Sequence, residues 1–336
     1  MIEFAANQQH HHISAPDFSF DQTSDVRRLH RMLPVYAETP LVYLDHGIFV
    51  KDESKRFGIK AFKGLGGIYA MFRIICRELH LNPAETTIDT LLDSPYHDHI
   101  RQMEFVTTTD GNHGKGVSWA AGILGCKAHV YMPKGTVEVR AQAIRDVGNA
   151  DVTITDMRYD VCVAWTRELA ETKGWYLIQD TSWLGYEEVP LWIMQGYTTL
   201  FYEAISQMKA KPTHIFLQAG VGAMAGAIAA AAVETYPKHP PIIATVEPKE
   251  VACFYESFLQ ADGLPHGATG SGETIMAGLN CAVPCTLAWD ILCGCAVGGF
   301  ACDDEVTCHG MRLLHKAGVT AGESGADCRT GGCVTM

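Results

Sequence analysis

The sequence predicts an α/β fold of open, mostly parallel sheets flanked by helices and divided into two lobes. Three observations lead there. From about residue 104, short β-rich runs alternate with helical ones, the order that parallel strands joined by crossover helices require. The strand runs are apolar almost throughout, as expected of strands covered on both faces. The length of 336 residues also exceeds the roughly 250–300 residues at which a single core stops growing.

The elements follow in order. "EFVTTT" leads to a helix near 113–125, "KAHVYM" to one near 138–147, and "DVTIT" to one near 159–173. "WYLIQD" precedes a long helix near 190–209, "THIFLQ" a helix from about 222, and "PIIATVEP" another short helix. A new strand series starts after the long helix. The expected division is therefore a smaller lobe, 76–202, inserted into a larger one made of 15–75 and 203–336. A site between the lobes is the natural expectation.

Composition narrows the function classes. The chain is 47% hydrophobic and 9% aromatic, in the range of ordinary globular proteins. A net charge of −12 argues against a nucleic-acid surface or an anionic membrane, so small molecules are the expected partners. The start, "MIEFAANQQHHHISAPDF", lacks a basic segment followed by an apolar run, which points to a cytoplasmic location. His10, His11 and His12 read as a loose tail, because an isolated tract fixes no metal geometry. Residues 215–233 are long enough to resemble a membrane span, but Gln218 and three glycines favour a strand, turn and helix. Nine of the twelve cysteines lie from Cys253 onward. Their spacings do not form paired C-x2-C knuckles, so no metal site is expected. Buried thiols are the default without a secretion signal, and a local disulfide such as Cys253 with Cys281 stays open.

Four segments carry candidate chemistry. In "VKDESKRFGIKAFKGLGG", Lys63 follows Phe62 and precedes a Gly-Leu-Gly-Gly run. A lysine held against apolar groups loses hydration, which disfavours its ammonium form and makes the amine nucleophilic. In "TTTDGNHGKG", Asp110, Gly111 and Asn112 form a tight turn after a strand, and Asn112 offers both donors and an acceptor. The plain alternative is an Asp-Gly turn with a helix cap. In "LQAGVGAMAG", Gly220 and Gly222 let backbone N–H groups converge at a helix N-terminus, a setting suited to phosphate. A crowded turn would use glycine too. Asp180, in "LIQDTSWLGYEEVP", ends an apolar strand and either reaches a site there or caps the next helix. An amine, an amide and a phosphate cradle together match the needs of pyridoxal phosphate.

Across most of its length the chain resembles the diaminopropionate ammonia-lyase family. The resemblance rests on "VKDESKRFG", "AFKGLGG", "TTTDGNHGKGVSWAA", "YMPKG", "WIMQGY", "PTHIFLQAGVGAMAGA", "ATVEP", "TIMAGLNC", "GMRLL" and "GESGA". It implies a fold-type-II, tryptophan-synthase-β-like pyridoxal-phosphate enzyme, a homodimer by family analogy. The implied reaction is α,β-elimination of D- and L-2,3-diaminopropionate to pyruvate and ammonia. By the resemblance Lys63 is the lysine that carries the cofactor and takes the Cα proton of the L-isomer, and Asp110 takes that of the D-isomer. Relatives acting on other substrates mostly have a small hydroxyl residue where Asp110 stands. Asp180 matches an aspartate near the β-amino group and Asn112 a residue that bonds the ring hydroxyl. The backbone of Gly220, Val221, Gly222, Ala223 and Met224 matches the phosphate cradle.

The chain departs from the family pattern in two places. It is shorter between "TPLVYLDH" and "IFVKDES", where the family fits a short helix. After "GESGA" it runs "DCRTGGCVTM", where the family continues through a helix and a strand ending in Thr-Glu-Gly beside the pyridine nitrogen. Such an ending predicts exposed core surface in the larger lobe and a missing ring-nitrogen partner. Two alternatives to the lyase follow. One is a related serine or threonine dehydratase or β-eliminase, distinguished by Asp110 and Asp180. The other is a C-terminally altered, inactive remnant.

Overall fold

The computed structural model describes residues 1–10, 23–109 and 111–326. Its strands are β1 (Ile2–Ala6), β2 (Leu41–Tyr43), β3 (Phe49–Lys51), β4 (Glu104–Thr108), β5 (Lys127–Met132), β6 (Ala150–Ile154), β7 (Tyr176–Leu177), β8 (His214–Gln218), β9 (Ile242–Pro248) and β10 (Ala296–Cys302). One sheet has the order β6-β5-β4-β7 with every pair parallel. The other has the order β1-β10-β9-β8, parallel except for the β1 edge. A short hairpin pairs β2 with β3. The mostly parallel α/β architecture read from the sequence is present.

The expected helices form within a few residues of their predicted limits: Asn112–Leu124, Glu138–Arg145, Tyr159–Lys173, Glu188–Gln207 and Ala223–Thr235. Residues 215–233 form β8, a turn and most of the last of these helices, and no helix among the described residues is long and apolar enough to cross a membrane.

The Gly-Leu-Gly-Gly run is not a loop. It is the first turn of a helix, Lys63–Glu78, that is buried from Gly64 to Phe72. The helix Glu188–Gln207 is buried along most of its length, as a central helix must be. The two touch at glycine. A Cβ on Gly66 would stand 2.6 Å from the Tyr197 ring, and one on Gly196 would stand 2.5 Å from the Leu65 carbonyl oxygen. The helix Asn112–Leu124 closes on the same spot, where a Cβ on Gly116 would come within 2.8 Å of the Lys63 carbonyl. Absent side chains therefore fix where Lys63 begins its helix.

Two features differ from the sequence reading. Strands β1 and β10 were not foreseen. In "AVGGFAC" two glycines dilute the apolar signal, and β1 is a short edge strand recognisable only by its partner. The run 175–180 was read as one strand, yet the ladder holds only Tyr176–Leu177. Beyond it the Gln179 side chain takes over, accepting from the Thr108 N–H at 3.2 Å while Gln179 N–H donates to the Tyr186 hydroxyl at 2.9 Å. The chain thus leaves the sheet with its polar groups satisfied and carries Asp180 off the strand. The described cysteines are thiols, the default reading; the Cys253–Cys281 bridge that had stayed open is not formed, and the Cys253 thiol donates to the Gly220 carbonyl at 3.8 Å. His11, His12 and the "DCRTGGCVTM" ending lie outside the described residues.

Candidate active site

A cavity of about 430 Å³ collects the predicted segments: Lys63, Asn112, Asp180 and the stretch Gly220–Met224 all line it. Asp110 lies outside the described residues. Three of these positions follow from strand-to-helix junctions. Asn112 opens its helix, and Thr109 supplies the cap, its hydroxyl accepting from the N–H groups of Gly111 (3.0 Å) and Gly114 (3.3 Å). Gly220–Gly222 links β8 to the helix Ala223–Thr235. Gly222 has φ +91°, and a Cβ there would meet the Phe254 ring at 2.3 Å, so only glycine fits. The first N–H groups of that helix have no intrahelical acceptor and carry the positive end of its dipole, a cradle for an anionic oxygen cluster.

The Lys63 amine meets the Asp180 carboxylate at 2.5 Å and lies 5.4–5.5 Å from the ring centres of Phe62 and Tyr197. The sequence suggested an amine deprived of hydration and therefore neutral. Burial does push in that direction and is the largest single influence, but Asp180, with help from Tyr197, outweighs it and holds the ammonium above its ordinary value. Asp180 is the reciprocal case. Burial opposes its carboxylate, and the charges that His113 and Lys63 can carry overcome it, leaving the carboxyl well below the usual range. Burial and the Lys63 charge hold the His113 imidazole below its ordinary value. With that ring neutral, the Lys63 ammonium at 2.5 Å is the partner that counts. Burial raises the Tyr197 hydroxyl, so it too stays protonated.

Behind one wall sits a charged cluster. Lys51 and Arg56 each reach Glu203 at 2.7 Å, and Arg56 also pairs with Glu53 at 2.7 Å. Burial would raise the Glu203 carboxyl, but Arg56 and then Lys51 bring it down to about 2. This cluster ties the end of β3 and the turn after it to the helix Glu188–Gln207. Lys51 and Glu53 border the same cavity.

Sequence reasoning passed over His113, Tyr197, Cys281 and the segment Thr320–Gly325, which also border the cavity or its lysine. His113 was visible as the neighbour of Asn112, and Tyr197 stood inside a recognised motif, but neither spacing signals a site. Among the described residues, no cluster of three or more His, Cys, Asp or Glu side chains is arranged to hold a metal ion.

The residues present suit pyridoxal phosphate: a primary amine, a side-chain amide and a glycine-built anion cradle share one cavity. Comparison with known proteins agrees. The family pattern of pyridoxal-phosphate dependent enzymes matches residues 32–327. The diaminopropionate ammonia-lyase of Escherichia coli K12 is 43% identical across 97% of this chain and 84% of its own length. That of Salmonella typhimurium is 45% identical across 86% and 74%. Among solved structures, the holo diaminopropionate ammonia lyase of Escherichia coli superposes with a TM-score of 0.87 at 41% identity, covering 97% of this chain and 84% of that one. The same enzyme in complex with an aminoacrylate-PLP azomethine reaction intermediate gives the same TM-score. A threonine deaminase of Solanum lycopersicum shares the fold at 20% identity, with a TM-score of 0.76.

Proposed function

This chain belongs to the pyridoxal-phosphate dependent enzymes, and from that premise we propose that it is a carbon–nitrogen lyase that converts 2,3-diaminopropionate, D and L, to pyruvate and ammonia. Pyridoxal phosphate, when bound, supplies an electron sink that makes loss of the substrate's Cα proton feasible. Lys63 would hold the cofactor's aldehyde group, Asn112 its ring hydroxyl, and the N–H groups of Gly220, Val221, Gly222, Ala223 and Met224 its phosphate.

In this reading Lys63 takes the Cα proton of the L-isomer and Asp110 that of the D-isomer, since opposite faces need separate bases. Asp180 receives the β-ammonium by charge-assisted hydrogen bonding. The observation that carries the proposal is the Asp180 carboxylate already holding an ammonium, that of Lys63, at 2.5 Å in the cavity. A group shaped to neutralise one ammonium suits a substrate that brings another. A hydroxy amino acid offers nothing on its β-carbon to neutralise that charge, which favours the lyase over the dehydratase reading.

The reading also takes 76–202 as the smaller lobe, inserted between 15–75 and 203–336, and the working protein as a cytoplasmic homodimer. Light scattering tests the last point.

The deciding experiment supplies pyridoxal phosphate and measures 2-oxo acid release from D- and L-2,3-diaminopropionate, serine and threonine. Release from the diamine, reduced at least about 100-fold in Asp180→Asn, is expected, as for loss of a charged recognition bond made in the transition state. Release from serine or threonine but not from the diamine would transfer the assignment to a dehydratase. Absence of any turnover in well-folded protein would favour the inactive remnant.

A further inference from the structure

His113 is a polar group of the cavity that the reaction above leaves unused. Its side chain is 6% exposed. Nε2 lies 2.8 Å from the Ile178 carbonyl oxygen, which only accepts, so Nε2 carries the proton and donates. Nδ1 is then a bare lone pair. It is buried with no hydrogen-bond partner among the described residues, and it stands 3.6 Å from the Asp180 Oδ2 that Lys63 occupies.

Two acceptors, one of them anionic, thus stand 3.6 Å apart, and the Lys63 ammonium serves only the carboxylate. Leaving such a pair unbridged is unfavourable. Once Lys63 is engaged elsewhere, both acceptors need donor hydrogens. A hydroxyl supplies one and a β-ammonium supplies three.

We propose that the His113 Nδ1 and the Asp180 carboxylate together form a two-acceptor seat for the substrate's β-ammonium, which makes His113 a residue that selects a β-amino over a β-hydroxy amino acid. This rests on the lyase reading and deepens it. Neither acceptor draws the proton away: burial, the largest influence on the imidazole, holds it below its ordinary value with or without Lys63, and the arriving ammonium replaces the Lys63 charge that helps hold the carboxyl down against burial. The β-nitrogen therefore stays an ammonium, the form in which it departs as ammonia rather than as amide ion. Tyr197, at the same spot, keeps its proton because burial raises its hydroxyl.

The test compares holoenzymes carrying His113→Gln and His113→Asn. A glutamine amide reaches the Nε2 position and can keep the Ile178 contact while removing the Nδ1 acceptor. An asparagine amide places an oxygen near Nδ1. Binding of 2,3-diaminopropionate and of serine is followed by the shift in cofactor absorbance, alongside kcat and KM for each. In His113→Gln the preference for the diamine should fall about 10–100-fold, the range for a hydrogen bond to a charged group. In His113→Asn it should stay within about threefold. Equal losses for both substrates, or no loss in His113→Gln, would overturn the proposal.

Long-range 1H–15N spectra of the wild-type imidazole give a second check that needs no variant. A neutral ring protonated on Nε2 is expected, and a proton on Nδ1 overturns the assignment. Should the wild type release no pyruvate while preferring the diamine through His113, the lyase reading fails and the ammonium seat stands. Pyruvate release with no His113-dependent preference gives the reverse.

Discussion

Asp180→Asn in the cofactor-free protein isolates the charge pair at the base of the cavity. At 2.5 Å and an effective dielectric of 20, the attraction is roughly 6–7 kcal/mol, and desolvating two ions offsets several kcal/mol of it. Removing only the carboxylate leaves Lys63, 18% exposed, as an uncompensated ammonium, which costs about 3–5 kcal/mol. Lys63→Met should cost a similar amount by stranding Asp180. The double variant strands nothing and should itself lose little, so its loss should fall short of the sum by roughly 6 kcal/mol or more. Urea midpoints of the four proteins supply the cycle. The pH dependence adds a sign. Lys63 has its pKa raised above 10.5, so its stabilisation is present below that value and lost as pH climbs through the higher folded value. Asp180 is depressed below 3.8, so its contribution is present above that value and lost as pH falls through the folded one. The coupling should therefore be flat between about pH 4 and 10. Additivity within about 0.5 kcal/mol, or a coupling that disappears near neutrality, would refute the pairing.

Two further outcomes are expected. Gly222→Ala combines a left-handed φ with a 2.3 Å clash on Phe254. Pyridoxal phosphate affinity by spectral titration should fall at least about tenfold, with a stability loss of about 2–4 kcal/mol, whereas Gly267→Ala, whose new Cβ finds its nearest contact at 3.5 Å, stays within about 1 kcal/mol of wild type. Glu203 is lowered from 4.5 to about 2 by Arg56 and Lys51 against the effect of burial, so its stabilisation is present above pH 4.5 and lost as pH falls toward 2; acid titration of folding should show a slope there worth about 3 kcal/mol, and Glu203→Gln should flatten that slope.

Strand-to-helix junctions were the legible part of the site. Asn112, Gly220 and Gly222 stand where an apolar run gives way to a helical one, so topology alone places them at the rim of a sheet, where open α/β folds build sites. Lys63 was legible by its oddity, yet the reason offered was half right. The glycines after it are helix contacts with Gly116 and Gly196, which their spacing did not announce. One-dimensional spacing cannot show that three helices must approach through missing side chains. Asp180 read alone was as good a cap as a ligand, and only the resemblance singled it out. The lysine's protonation state depended on a carboxylate 117 positions away, and no local pattern reports such a partner. The edge strand β1 and glycine-rich β10 escaped because their signal lies in each other.

A buried ion pair is a poor device for stability, since well-packed apolar groups of similar volume often do as well or better. The glycine contact fixes the start of the Lys63 helix without needing Asp180, so that contact rather than the charge pair holds the fold there. What the carboxylate supplies is a charge state: it keeps the amine protonated and localised until another claim is made on it. In the proposed reading the cofactor takes the amine, Asp180 loses its donor beside a His113 nitrogen that never had one, and the vacancy has the valence of an ammonium. Glu203 meets two cations just behind the wall and stays saturated. Asp180 meets one, which the proposed cofactor bond would take away, and in the proposed reading that difference separates a residue that maintains the wall from one that recognises a substrate.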